Sequence, residues 1–349
     1  MLKKVLCFIV AISFILNAFA CTTFFIEKNG QMIFGRNYDW VTETGMVNTN
    51  LRGLRKTSLE LEKGNLISWT SKYGSITFNQ YGKEFPTGGM NEKGLVVELM
   101  WLSESRFPQQ DKRPGLSVLQ WIQYQLDNCS SIDEVIATDK MIRIISKDAP
   151  QHYLVADAKG NAATIEFLNG KMNVHKGPSL PYSVLTNSTY QESITAMKHK
   201  DSLRLKDNSL QRFGTTCNMI KRLQQTAINK PLVDYGFDIL KAVSQGDYTK
   251  WSIVYDISNK KVYFKTAAYQ DVKTIAFQNF DFSCTAKPLA FNMSQAAKGE
   301  ISKEFIPYSN DLNKTKLKEA FTNSRTEIRI DEVLQNAMGR NAEEVRCEN

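Results

Sequence analysis

The 349-residue sequence is poor in the residues that mark several protein classes. It has six cysteines, three histidines and nine prolines, and it contains no CxxC motif. Such sparse cysteines exclude a disulfide-based scaffold, and the histidines lie far from paired ligands, so no metal or organic cofactor is expected. Nineteen glycines without repeats or biased tracts also argue against a disordered, collagen-like or repeat protein.

Charge of one sign is not concentrated in any part of the sequence. Forty-four basic and thirty-six acidic residues give a formal net charge of +8, which is spread along the chain. Nucleic-acid-binding proteins normally gather basic residues in a patch or stripe, so no nucleic-acid partner is expected. The composition predicts a soluble globular protein large enough to be an enzyme.

The longest apolar run lies at the N-terminus. Lys3 and Lys4 precede a run of twelve largely apolar residues, and Ala18-Phe19-Ala20 follows it. This order is typical of a secretory signal peptide, and the run is shorter than the ~20 residues that span a bilayer. No later segment is apolar enough to be a transmembrane anchor. We therefore predict that residues 1–20 are removed and that the mature protein is periplasmic or extracellular.

Cysteine at the first mature position, Cys21, has two interpretations. In a lipoprotein it would be acylated, and the chain would be a lipid-anchored ligand-binding protein. Position −3 is then usually a large aliphatic residue, whereas here it is Ala18. In the other interpretation, cleavage creates a thiol and a free α-amine on one residue. An α-amine has a pKa near 8, so it can accept the proton of its own thiol during attack on an amide.

A hairpin is predicted directly after Cys21. Strands at Thr22–Lys28 and Gln31–Asn37 flank Asn29-Gly30, a pair suited to a type I′ turn. The hairpin would bring the segment Gly35-Arg36-Asn37-Tyr38-Asp39 next to Cys21. Arg36 would then stabilise the thiolate, and Asp39 would accept a hydrogen bond from the α-ammonium. A surface ion pair between Arg36 and Asp39 is the alternative.

The rest of the chain alternates between blocks of strands and blocks of helices. This order indicates helices on the outer faces of stacked antiparallel sheets. No linker divides the chain, so we predict one catalytic domain at residues 21–294 and a polar, helix-favouring extension at 295–349. The predicted elements are strands at Ile67–Trp69, Ser75–Asn79 and Gly94–Leu102, helices at Leu116–Asp127 and Ser131–Thr138, a strand meander from Gln151, helical stretches at Gln191–Thr226 and Leu232–Val243, and a hairpin of Trp251–Asp256 with Lys261–Lys265.

Several ordered motifs together resemble the choloylglycine hydrolase family. They are Cys21-Thr22, Gly35–Asp39, Gly89-Met90-Asn91-Glu92-Lys93-Gly94-Leu95, Leu185-Thr186-Asn187-Ser188, Arg212-Phe213 and Trp251–Asp256. The family contains conjugated bile acid hydrolases and penicillin V acylases, and it belongs to the N-terminal nucleophile hydrolases. The resemblance implies an α+β fold, a four-layer αββα sandwich of two antiparallel sheets, and it suggests a homotetramer.

The resemblance also implies roles for individual residues. Cys21 would be the nucleophile with its α-amine as the base, and Arg36 and Asp39 would be the charged partners. Asn187 would donate its side-chain amide to the oxyanion, and Arg212 would complete the polar network. The chain is therefore predicted to hydrolyse linear, non-peptide amide C–N bonds in substrates with an apolar or aromatic acyl group.

One position departs from the pattern of the bile acid hydrolases. Trp101 stands where they commonly place a second asparagine, ten residues after the one corresponding to Asn91. Trp101 is thus a candidate pocket residue, with a buried core aromatic as the alternative. Penicillin V-type amides, conjugated bile acids and N-acyl homoserine lactones all stay open as substrates.

A papain-like hydrolase is a further alternative. It would use Cys217 or Cys129 with His152 or His175, but the sequence around these cysteines has no recognisable nucleophile motif.

Overall fold

The computed structural model describes residues 20–146, 149–198, 207–227 and 229–348. The predicted leader lies outside these residues, apart from Ala20. The helices in the described ranges are α1 Val118–Asn128, α2 Ile132–Ala137, α3 Tyr190–Lys198, α4 Asn208–Gln225, α5 Leu232–Ala242, α6 Asn310–Asn323 and α7 Glu332–Asn341. The strands are β1 Thr22–Lys28, β2 Gln31–Asp39, β3 Met46–Asn50, β4 Leu54–Thr57, β5 Ser68–Thr70, β6 Ser75–Asn79, β7 Gly88–Asn91, β8 Val96–Trp101, β9 Gly115–Leu116, β10 Arg143–Ile144, β11 Gln151–Ala156, β12 Ala162–Leu168, β13 Lys171–Lys176, β14 Val184–Leu185, β15 Thr249–Asp256, β16 Lys261–Thr266, β17 Lys273–Ala276, β18 Leu289–Asn292, β19 Gly299–Glu300, β20 Ile306–Pro307 and β21 Arg346–Cys347.

Two large sheets form the centre of the described structure. Sheet A has seven strands in the order β14-β1-β2-β15-β16-β17-β19, and sheet B has nine in the order β13-β12-β11-β8-β7-β6-β3-β18-β20. Neighbouring strands are antiparallel except for the parallel pair β17 and β19. Helices α4 and α5 pack against sheet A, and α1 packs against sheet B. The predicted α+β fold, an αββα sandwich, is confirmed.

The first hairpin forms because its turn residues tolerate positive φ. Asn29 has a φ of 53° and Gly30 a φ of 78°, as a type I′ turn requires. The two-residue turn fixes the register, so Thr22 pairs with Asn37 and Thr23 with Arg36. On their other sides, β1 pairs with β14 and β2 pairs with β15. The two strands that follow Cys21 therefore lie in the interior of sheet A.

Two apolar clusters hold the layers together. The larger one includes Phe34 of sheet A and Phe78 of sheet B, so it fills the space between the sheets. In the second cluster, Trp121 of α1 packs against Val97 and Tyr153 on sheet B. This division follows from the alternation of side chains along each strand.

Most predicted elements are confirmed, and their ends shift by a few residues. The final predicted hairpin corresponds to β15 and β16. The predicted helical stretch 191–226 contains α3 and α4, and residues 199–206 between them lie outside the described ranges. No helix in the described ranges is both long and apolar enough to cross a membrane.

The C-terminal segment packs against the rest of the fold. Helices α6 and α7 contact each other, and strand β21 pairs with β4. A disulfide joins Cys284 to Cys347, a pairing that the sequence left open. Strand β19 is an edge strand of sheet A, and strand β20 is an edge strand of sheet B. The division of the chain at residue 294 stays a prediction.

Candidate active site

Cys21 lies immediately before β1, and its side chain is buried, with 3% of the residue exposed. Its Sγ donates a long hydrogen bond to the backbone oxygen of Asp39, at 3.9 Å. Arg36 pairs with Thr23, which follows Cys21 by two residues. Because cross-strand partners share a face and side chains alternate along a strand, Cys21 faces the same side of the sheet as Arg36 and Tyr38. The hairpin register therefore brings Cys21 and Arg36 to one face of sheet A.

Arg36 is fully buried and forms an ion pair with Glu98 of β8, across the interior between the sheets. The guanidinium also donates to the backbone oxygen of Thr87 at 3.0 Å, and the Tyr255 hydroxyl donates to the Glu98 carboxylate. Gly88 has no side chain, and a Cβ at position 88 would collide with the Glu98 carboxylate. Burial raises the pKa of Glu98 to about 7, although Arg36 and Tyr255 oppose the shift. The Arg36 charge is thus held in place by the opposite sheet.

Asp39 ends β2 and is also buried. Its Oδ1 accepts a hydrogen bond from the Thr249 hydroxyl, whereas Oδ2 is buried without a hydrogen-bond partner among the described residues. Burial raises the pKa of this carboxyl to about 7, against the hydrogen bond from Thr249 and the charges of Arg212 and Arg36. A buried acceptor without a partner is costly, so the site is suited to receive a donor.

Arg212 of α4 links Cys21 to Asn187. Its guanidinium donates to the backbone oxygen of Cys21, to Thr22 Oγ1 at 2.8 Å and to Asn187 Oδ1 at 2.9 Å. The Asn187 amide nitrogen donates to the backbone oxygen of Trp101 at 2.9 Å. An amide nitrogen carries two hydrogens, so the second one is left for another acceptor. The side-chain amide of Asn187 is therefore held at its oxygen by Arg212 and at its nitrogen by the Trp101 backbone.

The loop that carries Asn187 is held by buried polar groups. His152 hydrogen-bonds Thr186 O at 2.7 Å and Glu166 at 3.1 Å. Ser209 Oγ accepts from the Asn187 backbone N–H at 2.9 Å. Backbone and side chain of Asn187 are therefore both anchored.

Burial raises the pKa of the Cys21 thiol in this arrangement. The positive charges of Arg36 and Arg212 oppose the shift, while the carboxylate of Asp39 adds to it. The net effect favours the protonated thiol, and Arg36 and Arg212 place positive charge where a thiolate would form.

A cavity of about 520 Å³ opens at Cys21, and its lining is mostly apolar. This volume lies in the range of small-molecule sites, roughly 300–1,000 Å³. Trp40 and Trp101 both line it, with ring centroids 6.4 Å apart and an interplanar angle of 35°. The site can therefore hold a small apolar or aromatic group next to a cysteine.

The other cysteines lie in different surroundings. Burial raises the pKa of Cys129 to about 12 and that of Cys217 still further, and Cys129 donates to Gln125. The ring nitrogens of His152 bond to Glu166 and Thr186. A papain-like pair built on these groups therefore has no support from the geometry. In the part of the chain that the structure describes, no cluster of three or more His, Cys, Asp or Glu side chains could hold a metal ion.

The family comparison agrees with this geometry. Residues 21–221 match the model of the linear amide C–N hydrolases, choloylglycine hydrolase family. The chain belongs to this family. It is therefore a linear amide C–N hydrolase with an N-terminal nucleophile hydrolase fold.

Three proteins of known identity are similar to this chain over most of its length. The chain is 27% identical to penicillin V acylase of Pectobacterium atrosepticum, and the alignment covers 82% of this chain and 90% of that protein. The structure of penicillin V acylase from Agrobacterium tumefaciens is 25% identical, with a TM-score of 0.72, over 83% of this chain and 98% of that one. A variant of conjugated bile acid hydrolase from Clostridium perfringens is 18% identical, with a TM-score of 0.68, over 80% and 99%. The last similarity concerns the fold alone.

All the residues predicted for the site come together around Cys21, and their catalytic roles stay predictions. Sequence reasoning missed Glu98, Trp40, Thr249 and the cavity wall formed by the C-terminal segment. For Glu98 a signal was present, because it is a single acidic residue in the apolar strand Val96–Trp101. A charge in such a strand requires a buried partner.

Proposed function

We propose that this family member is an exported acylase in which Cys21, freed by removal of residues 1–20, is the nucleophile. The α-amine of Cys21 takes the thiol proton as sulfur attacks the amide carbonyl. The oxyanion then accepts a hydrogen bond from Asn187, and the proton passes to the leaving amine. This leaves a thioester on Cys21, which water hydrolyses with the same amine as the base.

The observation that carries the proposal is the carboxylate of Asp39, whose Oδ2 is buried without a hydrogen-bond partner among the described residues. A new α-ammonium on Cys21 would supply the missing donor and charge. It would then lower the pKa of Asp39 from about 7, because an opposite charge nearby favours the carboxylate. The burial of the Cys21 thiol in the cavity also favours chemistry over the alternative, an acylated lipid anchor.

The lining of the cavity favours an apolar or aromatic acyl group. Trp40 and Trp101 present two rings beside Cys21, and aromatic pairs readily take a third ring in stacked or edge-on contact. We therefore propose phenoxyacetyl amides of the penicillin V type as the first substrates to test. Conjugated bile acids and N-acyl homoserine lactones are the other acyl classes to compare.

A substrate panel tests the proposal. Mature wild-type protein and Cys21→Ala are incubated with penicillin V, a glycine-conjugated bile acid and an N-acyl homoserine lactone, and the released acid is quantified. We expect release of phenoxyacetate by the wild type and none by Cys21→Ala. Cys217→Ala is the matched control, since its thiol lies away from the cavity, and it should retain activity. Equal turnover by wild type and Cys21→Ala would refute the assignment of the nucleophile.

A further inference from the structure

One side of the cavity is formed by helices α6 and α7 and the loop between them, and we call this side the wall. Helices α6 and α7 and the loop between them contribute apolar side chains to the lining, namely Phe321, Ile328, Ile330, Leu334 and Met338. Ile330 and Leu334 are half-buried, so part of each side chain faces open space. These side chains are aliphatic or aromatic and provide an apolar boundary to whatever occupies the cavity.

This wall lies outside the part of the chain that the family model matches, which ends at residue 221. The alignment with the Agrobacterium penicillin V acylase uses 98% of that chain but 83% of this one. Some of this chain therefore has no counterpart in that acylase. A boundary of the cavity that comes from residues beyond 221 is a feature in which members of the family can differ.

The wall is joined to the pocket by hydrogen bonds. Trp40 Nε1 donates to the Tyr81 hydroxyl at 2.8 Å, and this hydroxyl donates to Ser324 Oγ at 3.0 Å. Ser324 in turn donates to the Ala320 backbone oxygen of α6 at 2.8 Å. The Tyr81 ring also lies 4.7 Å from that of Phe321. The position of α6 and the position of the Trp40 indole are therefore coupled through one tyrosine.

The far end of the segment is fixed as well. Strand β21 pairs with β4, and Cys347 is bonded to Cys284. Near the start of the segment, Asn313 of α6 accepts from the Lys83 backbone N–H at 2.8 Å. The segment is thus held near its start by the connection between β6 and β7, and at its far end by the small sheet β21-β4-β5.

From this arrangement we infer that α6, α7 and their connecting loop determine which acyl groups the enzyme accepts. Ile330 and Leu334 limit the length of the acyl group that the cavity accepts. Tyr81 positions Trp40 beside the part of the acyl group that is nearest the carbonyl carbon. The inference deepens the proposed function and depends on it, since it assigns the acyl group to this cavity. It predicts a preference for acyl groups short enough to end at the wall.

Truncating the wall tests the inference. Ile330→Ala and Leu334→Ala each remove three carbon atoms from the boundary. Val333→Ala is the matched control because Val333 lies on the same helix as Leu334 but is 77% exposed. The substrates are straight-chain acyl amides of four to twelve carbons with one common amine. Each additional methylene of the substrate that is buried in the cavity should raise kcat/KM about fourfold, because burial of one methylene contributes ~0.8 kcal/mol.

The expected result is a shift of the optimum by one to three methylenes toward longer acyl chains in both wall variants, mainly through KM. Val333→Ala should keep the wild-type profile, and Leu334→Phe should move the optimum toward shorter chains. Identical length profiles in the wild type and all variants, with correct folding shown by circular dichroism, would overturn the inference.

A binding measurement separates this inference from the proposed function. The same amides are titrated calorimetrically into Cys21→Ala and into Cys21→Ala combined with Leu334→Ala. If the wild type hydrolyses none of the amides but the second variant binds longer chains better than the first, the proposed catalysis fails and the role of the wall stands. If hydrolysis occurs and the two proteins bind every chain length alike, the role of the wall fails alone.

Discussion

Replacing Asn187 is predicted to slow catalysis without weakening substrate binding. The Asn187 amide is held by Arg212 and by the Trp101 backbone oxygen, each at 2.9 Å, and in the proposed mechanism its second hydrogen bonds to the oxyanion. This hydrogen bond forms fully only in the transition state, so its loss should act on kcat rather than KM. Removal of one oxyanion donor typically costs ~3–4 kcal/mol, so Asn187→Ala should lower kcat by about 10²–10³.

Asn187→Asp is the matched variant. It preserves the size of the side chain and can still accept from Arg212, but an ionised carboxylate offers no hydrogen to the oxyanion and adds a negative charge. Its kcat should therefore fall at least as far as that of Asn187→Ala. Steady-state kinetics on penicillin V would measure both values.

Alkylation of Cys21 by iodoacetamide is the internal control, because this reaction forms no oxyanion. Its rate should be nearly equal in the wild type and Asn187→Ala, which would show that the thiol is intact. A kcat within threefold of the wild type in both variants would refute the role of Asn187.

Three further predictions concern stability and the pocket. The folded-state pKa of Glu98 is about 7, above its ordinary 4.5, so its contribution to stability is complete below pH 4.5 and is lost as pH rises through 7. The pKa of Asp39 is raised as well, so the test is a difference between two proteins: in urea unfolding the wild type should lose ~3 kcal/mol more than Glu98→Gln between pH 4.5 and 8, and equal losses would contradict this. The Cys284–Cys347 disulfide closes a sequence separation of 63 residues, so Cys347→Ser should lower the free energy of unfolding by up to ~4 kcal/mol in urea titrations, and an unchanged midpoint would contradict this. Tyr81→Phe removes the hydroxyl between Trp40 and Ser324. For the loss of ~1 kcal/mol, KM for phenoxyacetyl amides should rise about fivefold while kcat changes less than twofold. A fall of kcat as large as the rise of KM would instead indicate a general loss of structure.

The elements that the sequence predicted best are those fixed by local rules. Asn29-Gly30 sets a two-residue turn, and this turn fixes the register that brings Arg36 and Asp39 near Cys21. The proximity of these groups therefore followed from the hairpin alone. The positions of Asn187 and Arg212 rested on the family resemblance, because their elements follow Cys21 by more than 160 residues.

Contacts between distant segments were not predictable from local patterns. The ion pair of Arg36 with Glu98 depends on how sheet A stacks on sheet B, and a single strand carries no information about that stacking. The Tyr81–Ser324 hydrogen bond spans 243 residues and depends on the packing of α6. The polar composition after residue 294 predicted helices there but gave no sign that they would line the cavity.

The central claim is that the working enzyme begins at Cys21 with a free α-amine. Intact-mass spectrometry of the purified, catalytically active protein tests this most directly. We predict a mass equal to residues 21–349, with one intact disulfide and no lipid. Active protein that retains any residue ahead of Cys21, or that carries an acyl group on its amine, would contradict the account.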